Sequence, residues 1–212
     1  AGNIGGGGFM LIHQDGKADF LDYREKAPLN AHRDMYLDDQ GQVIRNKPLY
    51  GILASGVPGS VMGMWQAHQK YGSKPWKDLL QPVIQLAEQG FIPHEKLLSH
   101  VKGYIERVQK DRHGRNFDQY FSAMQSDMPF KQPELAATLK RIAEQGPKDF
   151  YQGKTADLLV SFMQKHGGLI NKQDMASYQA IWRTPISADW QGYQVLSAPP
   201  PSSGGIVLVQ ML

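Results

Sequence analysis

The sequence predicts a mixed α+β fold, and three observations carry that prediction. A glycine-rich entry leads into two short apolar runs split by Asp15-Gly16, the pattern of a β-hairpin. A long middle stretch then places apolar residues at helical spacing between glycine and proline stops. Strand-like segments return at residues 178–182 and 193–196.

Residues 5–28 read GGGGFMLIHQDGKADFLDYREKAP. Residues 9–12 are bulky enough to be buried, and Asp15-Gly16 tolerates the positive φ angles of a type I′ turn. Phe20 and Leu21 resume the apolar run before Asp22-Tyr23-Arg24-Glu25-Lys26. The hairpin therefore delivers Arg24 to the end of a rigid strand. Its planar guanidinium suits a carboxylate, which it can grip with two parallel charge-assisted bonds. On spacing alone, a structural ion pair with Asp22, Glu25 or a distant carboxylate is favoured, because most such pairs are surface contacts worth under about 1 kcal/mol. The four glycines precede the strand and lack a Gly-Lys-Ser/Thr ending, so a phosphate loop is not supported. They are read as places of unusual backbone angle or close approach by another segment.

Residues 30–50 are polar, with Asp38-Asp39-Gln40-Gly41 as a solvated turn. Asp34, Asp38 and Asp39 lack the glycine and glutamate positions of an EF-hand loop. Pro58 is placed in the first turn of a helix through Val61, Met64, Trp65 and His68 that Gly72 closes. His68 stands alone and reads as a packed or surface imidazole rather than a ligand. Residues 76–80 form a short helical turn, Pro82 restarts the helix, and Gly90 stops it. Residues 94–109 make an amphipathic helix whose core face is Leu97, Leu98, Val101, Tyr104, Ile105 and Val108.

Residues 116–131 mix Phe117, Tyr120, Phe121 and Phe130 with polar residues and predict no definite element. Residues 133–145 are the cleanest helix, with Leu135, Leu139 and Ile142 on one face and Gly146-Pro147 at its end. Residues 155–166 follow, stopped by Gly167-Gly168. The two late strands are joined through Thr184-Pro185 and Gln191-Gly192. The apolar run of residues 206–212 predicts a fragment whose core is completed by further residues, because exposed apolar surface forfeits about 25 cal/mol per Å². Residues 1–212 are read as one domain fragment.

Hydrophobic residues make up 41% of the 212 and charged residues 20%, ordinary values for a globular protein. A net charge of +3, from 23 basic and 20 acidic residues that are scattered, gives no case for nucleic acid. The densest basic run, Lys110-Asp111-Arg112-His113-Gly114-Arg115, reads as a solvated loop. Absence of cysteine excludes disulfides, thiolate metal sites and cysteine nucleophiles. No apolar run approaches the roughly 20 residues of a membrane span. The histidines form no His-x-x-x-His or Glu-x-x-His pairing, so no metal is expected. No G-x-S-x-G elbow is present either. Ser202-Ser203-Gly204-Gly205 reads as a tight turn after three prolines, with an anion-binding nest as the other reading.

AGNIGGGGFMLI followed by DYREKAP resembles the heavy-subunit segment of the γ-glutamyltranspeptidase (glutathione hydrolase) family. ASGVPGS, YGSKPW, LAEQGF, RTPIS and PPPSSGG resemble the family's later landmarks, in order, over nearly the whole chain. The resemblance implies an N-terminal nucleophile hydrolase-type α/β/β/α sandwich, incomplete in this chain. It implies γ-glutamyl amides, glutathione foremost, as substrates, and no cofactor. It reverses the odds for Arg24, which would grip the α-carboxylate of the γ-glutamyl group as a substrate-binding residue. It also implies a light (small) subunit from the same precursor, whose N-terminal threonine is the nucleophile. No catalytic residue is then expected in this chain, which would be inactive alone, and the location would be periplasmic or secreted. A cephalosporin-acylase-like or polyglutamate-processing relative would share the motifs. Outside enzymes, a carboxylate-binding or scaffold domain remains the alternative.

Overall fold

The structure is a computed structural model and describes residues 3–111 and 117–212. It separates into two compact units, one formed by Ala1–Ala27, Gly56–Gly72 and Gln173–Leu212, the other by Pro28–Ser55 and Ser73–Lys172. Strands gather in the first and helices dominate the second, which is the mixed α+β class expected.

In the first unit, β1 (Phe9–Gln14) and β2 (Lys17–Asp22) form the expected hairpin. Asp15 and Gly16 take φ of 51° and 74°, the double positive φ of a primed turn. β3 (Ile181–Arg183) adds antiparallel to the other side of β2, pairing Phe20 with Arg183 and Asp22 with Ile181. Alternation along the strands gives the sheet two different faces. One buries Leu21, fully enclosed, with Ala180, Met10, Ile12 and Trp182 against α1 (Ser60–Tyr71) through Ala67 and Met62. The other carries Phe9, Phe20, Asp22, Ile181 and Arg183. At the edge of the α1 face, Lys70 Nζ reaches Asp19 Oδ2 at 2.5 Å and lies 4.5 Å from the Trp182 ring centroid, while the Tyr71 hydroxyl donates to the same Asp19 oxygen. The Lys70 bond, then the Tyr71 bond, hold the Asp19 carboxyl below the usual range.

Three details differ from expectation here. Pro58 is fully enclosed and precedes α1, which begins at Ser60 with Gly59 as its cap. The strand expected over residues 178–182 starts only at Ile181, because Tyr178 turns back to donate its backbone N–H to the Met175 carbonyl at 3.2 Å. The connection expected through Thr184-Pro185 leads at once into a further strand, β4 (Ile186–Trp190), paired with β5 (Tyr193–Ser197) across a turn whose Gln191 and Gly192 have φ of 49° and 83°. α9 (Gly204–Met211) packs on that hairpin, and α8 (Lys172–Ala176) buries Met175.

In the second unit, α2 (Trp76–Gln89) and α5 (Pro133–Gln145) pack together, burying Leu80, Ile84 and Ala87 with Ala136, Ile142 and Ala143. Each large side chain so removed from water contributes about 1.5–3 kcal/mol. α2 runs unbroken through Pro82, contrary to the expected restart. The proline forfeits one intrahelical bond, but the face buried against α5 outweighs that loss. α5 has the expected bounds, and Gly146 at φ 62° hands over to Pro147, the first residue of α6 (Pro147–Gln152). α7 (Lys154–His166) ends on Gly167 in the left-handed region, as expected. Asp149, 1% exposed, accepts from Arg141 Nε at 3.3 Å and from the Thr155 hydroxyl, tying these three helices.

α3 (Glu95–Asp111) lies where expected, but Leu97, Leu98, Val101 and Ile105 are half-buried and Tyr104 exposed, so this is not a core face. It packs on the short α4 (Phe117–Phe121), which leaves an open groove of about 490 Å³ beside Phe121 and Met124. The side chain of Val108 and residues 112–116, which include most of the basic run, lie outside what is described. The Asp38 turn is as read: Asp38 Oδ1 accepts the backbone N–H groups of Gln40 and Gln42 at 3.0 and 2.8 Å.

A Cβ on Gly59 would run into the Tyr23 carbonyl oxygen and the Tyr178 hydroxyl, whereas one on Gly204 would meet nothing closer than Ser202 Oγ at 3.6 Å. Gly59→Ala in the full-length protein should therefore lower unfolding free energy by about 1–3 kcal/mol by the overpacking rule. Gly204→Ala should stay within about 0.5 kcal/mol of wild type. Denaturant midpoints of the two variants check this, and equal midpoints would contradict it.

Candidate functional site

Arg24 lies two residues past the end of β2, and its main chain is held on both sides. Its backbone N–H donates to Asp22 Oδ1 at 3.2 Å, and the Tyr178 hydroxyl donates to its carbonyl at 2.8 Å. Tyr23 exchanges both backbone bonds with Gly8, at 2.9 and 3.2 Å, and Lys26 exchanges both with Val57, at 3.2 and 2.8 Å. Close approach by glycines makes this possible. A Cβ on Gly7 would lie 2.5 Å from the Tyr23 carbonyl oxygen and 2.7 Å from the Glu25 nitrogen, and one on Gly63 would enter the Tyr23 side chain. The close-approach reading of the glycine run is the one the geometry supports.

With its backbone fixed, Arg24 projects an exposed side chain whose guanidinium carbon lies 5.7 Å from the centroid of the Phe9 ring. It lines an open cleft of about 340 Å³ with Asp22, Glu25, Lys26, Ile181, Arg183 and Pro201. The charges in that cleft are unequally committed. Asp22, only 8% exposed, receives Arg183 through Nε at 3.0 Å and Nη2 at 2.9 Å, both on Oδ2. Lys26 Nζ donates to the Gln179 carbonyl at 2.9 Å and lies 5.1 Å from the Tyr178 ring centroid. Among the described residues, the Arg24 guanidinium has no carboxylate partner, and neither Asp22 nor Glu25 pairs with it. The structural ion pair that spacing alone favours is therefore not formed; Asp22 is taken by a residue from β3.

Tyr178 holds its proton well above the ordinary phenol range, because burial opposes the phenolate and the charges of Asp22 and Glu25 add to that. A phenol kept neutral remains a donor to the Arg24 carbonyl. Burial likewise raises Tyr23. Ser202-Ser203 forms the turn into α9, with Ser202 Oγ accepting the Gly204 N–H at 3.3 Å, and Pro201 just before it lines the cleft. His68 is half-buried, its ring 6.1 Å from that of Trp65. Among the described residues, no three His, Asp or Glu side chains gather as a metal site, and no helix is long and apolar enough to cross a membrane.

The sequence points to Arg24 but not to Tyr178, and Arg183 stands out in it only as part of RTPIS. Strand alternation in IWR and ISADW was the available signal, yet no local pattern reveals bonds spanning 154 and 161 residues.

The family described as Gamma-glutamyltranspeptidase matches residues 1–212. The glutathione hydrolase proenzyme of Pseudomonas aeruginosa is 51% identical over 212 residues, covering all of this chain and 38% of that protein. Among solved structures, a γ-glutamyltranspeptidase of Pseudomonas nitroreducens complexed with L-DON superposes with a TM-score of 0.94 at 50% identity, covering all of this chain and 62% of that one. The γ-glutamyltranspeptidase of Helicobacter pylori gives 0.93 at 43% identity, with 100% and 61% covered. The chain thus spans about two fifths of the length of the curated relatives it matches. The α+β, N-terminal nucleophile hydrolase-type fold implied by the sequence is the fold of these structures, and the chain carries part of it.

A raised phenol pKa contributes stability that is complete below the unfolded value of about 10 and is lost as pH rises beyond it. Tyr178→Phe should therefore leave the phenolate absorbance that develops up to about pH 10 unchanged relative to wild type. A drop of one tyrosine's amplitude in that range, read by alkaline difference spectroscopy, would contradict the enclosed, hydrogen-bonded phenol.

Proposed function

The chain belongs to the γ-glutamyltranspeptidase family, and from that membership we propose that the whole protein cleaves γ-glutamyl amides, glutathione foremost, with Arg24 gripping the α-carboxylate of the γ-glutamyl group. The observation that carries this reading is the uncommitted guanidinium at the mouth of a cleft whose other strong cations are already bonded. A cleft of about 340 Å³ suits an amino-acid head group, the lower end of the range for small-ligand sites. Arg24 presents two parallel N–H donors to a planar carboxylate, each charged bond contributing roughly 1.5–3 kcal/mol. The Phe9 ring behind it supports the cation without competing for its hydrogen bonds.

Residues 1–212 act in this reading as a single domain portion of the heavy subunit. A light subunit from the same precursor supplies an N-terminal threonine. Its hydroxyl attacks the γ-glutamyl carbonyl, its own α-amino group takes the hydroxyl proton, and the amide C–N bond breaks as the leaving amine is protonated. The acyl-threonine ester is then resolved by water or by an amino acid. The scheme calls on no metal or organic cofactor. This chain contributes the hold on the substrate and no reacting atom, so it is inactive alone. The same family membership supports a periplasmic or secreted location.

Arg24→Ala in the full-length protein should raise KM for a γ-glutamyl anilide by roughly 10- to 100-fold, the loss of one or two charged hydrogen bonds. Arg24→Lys should recover only part, because a point charge cannot reproduce the paired donors. Steady-state kinetics decide it: unchanged KM in both variants returns Arg24 to a structural role.

A further inference from the structure

Asp22 sits two residues before Arg24 in the chain and lines the same cleft. An acid this close to a binding arginine is a competitor for it. The structure shows how both carboxylate oxygens are occupied. Oδ1 accepts the backbone N–H of Arg24, at 3.2 Å, and Oδ2 accepts Nε and Nη2 of Arg183, at 3.0 and 2.9 Å. The Arg183 contact follows from register: Arg183 faces Phe20 across β2 and β3, so Asp22 is its diagonal neighbour on the same face, within reach of a long side chain.

We infer that Arg183 is a positioning residue, which holds Oδ2 of Asp22 and so keeps that carboxylate off Arg24, leaving the Arg24 guanidinium open to a carboxylate ligand. Asp22 is nearly buried, and a buried carboxylate stripped of its partner takes the next cation it can reach. Lys26 is committed to the Gln179 carbonyl and the Tyr178 ring. Among the described residues, Arg24 is the cleft cation whose side chain is held by neither a carboxylate nor a carbonyl, and it lies two residues from Asp22, so it is the one Asp22 captures. Arg183 acts on ligand affinity through Asp22 and does not itself touch the ligand. The inference rests on the carboxylate-binding reading of Arg24, and its test separates the two.

The comparison uses the full-length enzyme and a chromogenic γ-glutamyl anilide, with wild type, Arg24→Met, Arg183→Met, Arg183→Lys and the double variant Asp22→Asn/Arg183→Met. Arg183→Met should raise KM about ten-fold or more with kcat within about three-fold, because the defect is in binding. Asp22→Asn in that background should bring KM back to within about three-fold of wild type, since asparagine still accepts the Arg24 N–H but carries no charge to capture the guanidinium. Arg183→Lys, which keeps the charge, should also stay within about three-fold. A merely structural salt bridge predicts the opposite, with the double variant as impaired as Arg183→Met. That result, or an unchanged KM in Arg183→Met, overturns the inference while a raised KM in Arg24→Met leaves carboxylate binding standing. An unchanged KM in Arg24→Met overturns both. Should Arg183→Met fail to accumulate folded, Arg183→Gln with and without Asp22→Asn carries the same comparison.

Discussion

Everything about the cleft depends on how closely the backbone of residues 23–25 is held. Gly7 and Gly59 come against its carbonyl and amide groups so tightly that neither position has room for a Cβ, and Gly63 makes space for the Tyr23 ring. Backbone bonds from Gly8 and Val57 and side-chain bonds from Asp22 and Tyr178 complete the enclosure. The consequence is a division of labour within one residue. The main chain of Arg24 has lost its freedom to the fold, so the entropy cost of placing it is met before any ligand arrives. Only the side chain remains to be ordered, and the Phe9 ring already limits where it can go.

Electrostatics then determine what that side chain is for. The cleft holds Arg24, Lys26 and Arg183 against Asp22 and Glu25, a near balance that would favour internal pairing if geometry allowed it. The register of β2 and β3 prevents the local solution by bringing Arg183 diagonally onto Asp22. A half-buried pair of this kind is weak evidence for stability, because desolvation offsets much of its Coulomb gain. Its value lies in which cation it leaves over. Arginine suits the leftover role better than lysine, since its rigid fork is arranged for two bonds in advance.

Much of the fold was legible because local chemistry decides it. Asp15-Gly16 fixes the first hairpin, Gly72 and Gly167 close their helices, and the 3.6-residue period of residues 133–145 gives α5 its bounds. The readings that failed are those where tertiary contact overrides a local signal. Pro82 looks like a break until α5 covers the helix around it, and the apolar side of α3 looks like core although, among the described residues, the helix packed on it is the short α4. Residues 178–180 look like strand, but the Tyr178 backbone turns back to the Met175 carbonyl while its hydroxyl reaches the Arg24 carbonyl. The position of Arg24 at a strand end was readable from the hairpin; its freedom was not. That depends on Asp22 choosing a partner 161 residues away, and spacing alone pointed to the nearer one.

The site is therefore a non-local object, built from Ala1–Ala27, Gly56–Gly72 and Gln173–Leu212, with the largely helical second unit inserted in two pieces, Pro28–Ser55 and Ser73–Lys172. Such an insertion is thermodynamically cheap. Closing a loop costs only about 0.6 kcal/mol more for each doubling of its length, and the inserted residues have their own buried helix pair to stabilise them. Kinetically it matters more, because contacts of large sequence separation form against the greatest loss of chain freedom. Until residues 178–183 dock on β2, Arg24 has neither the Tyr178 hydroxyl on its carbonyl nor Arg183 to occupy Asp22. In that interval the acid on the same side of the extended chain as Arg24 is Asp22, two residues before it, and the two can pair. The pairing of β3 with β2 thus does more than extend a sheet: it gives Asp22 a long-range partner and leaves the Arg24 guanidinium in the cleft without that acid.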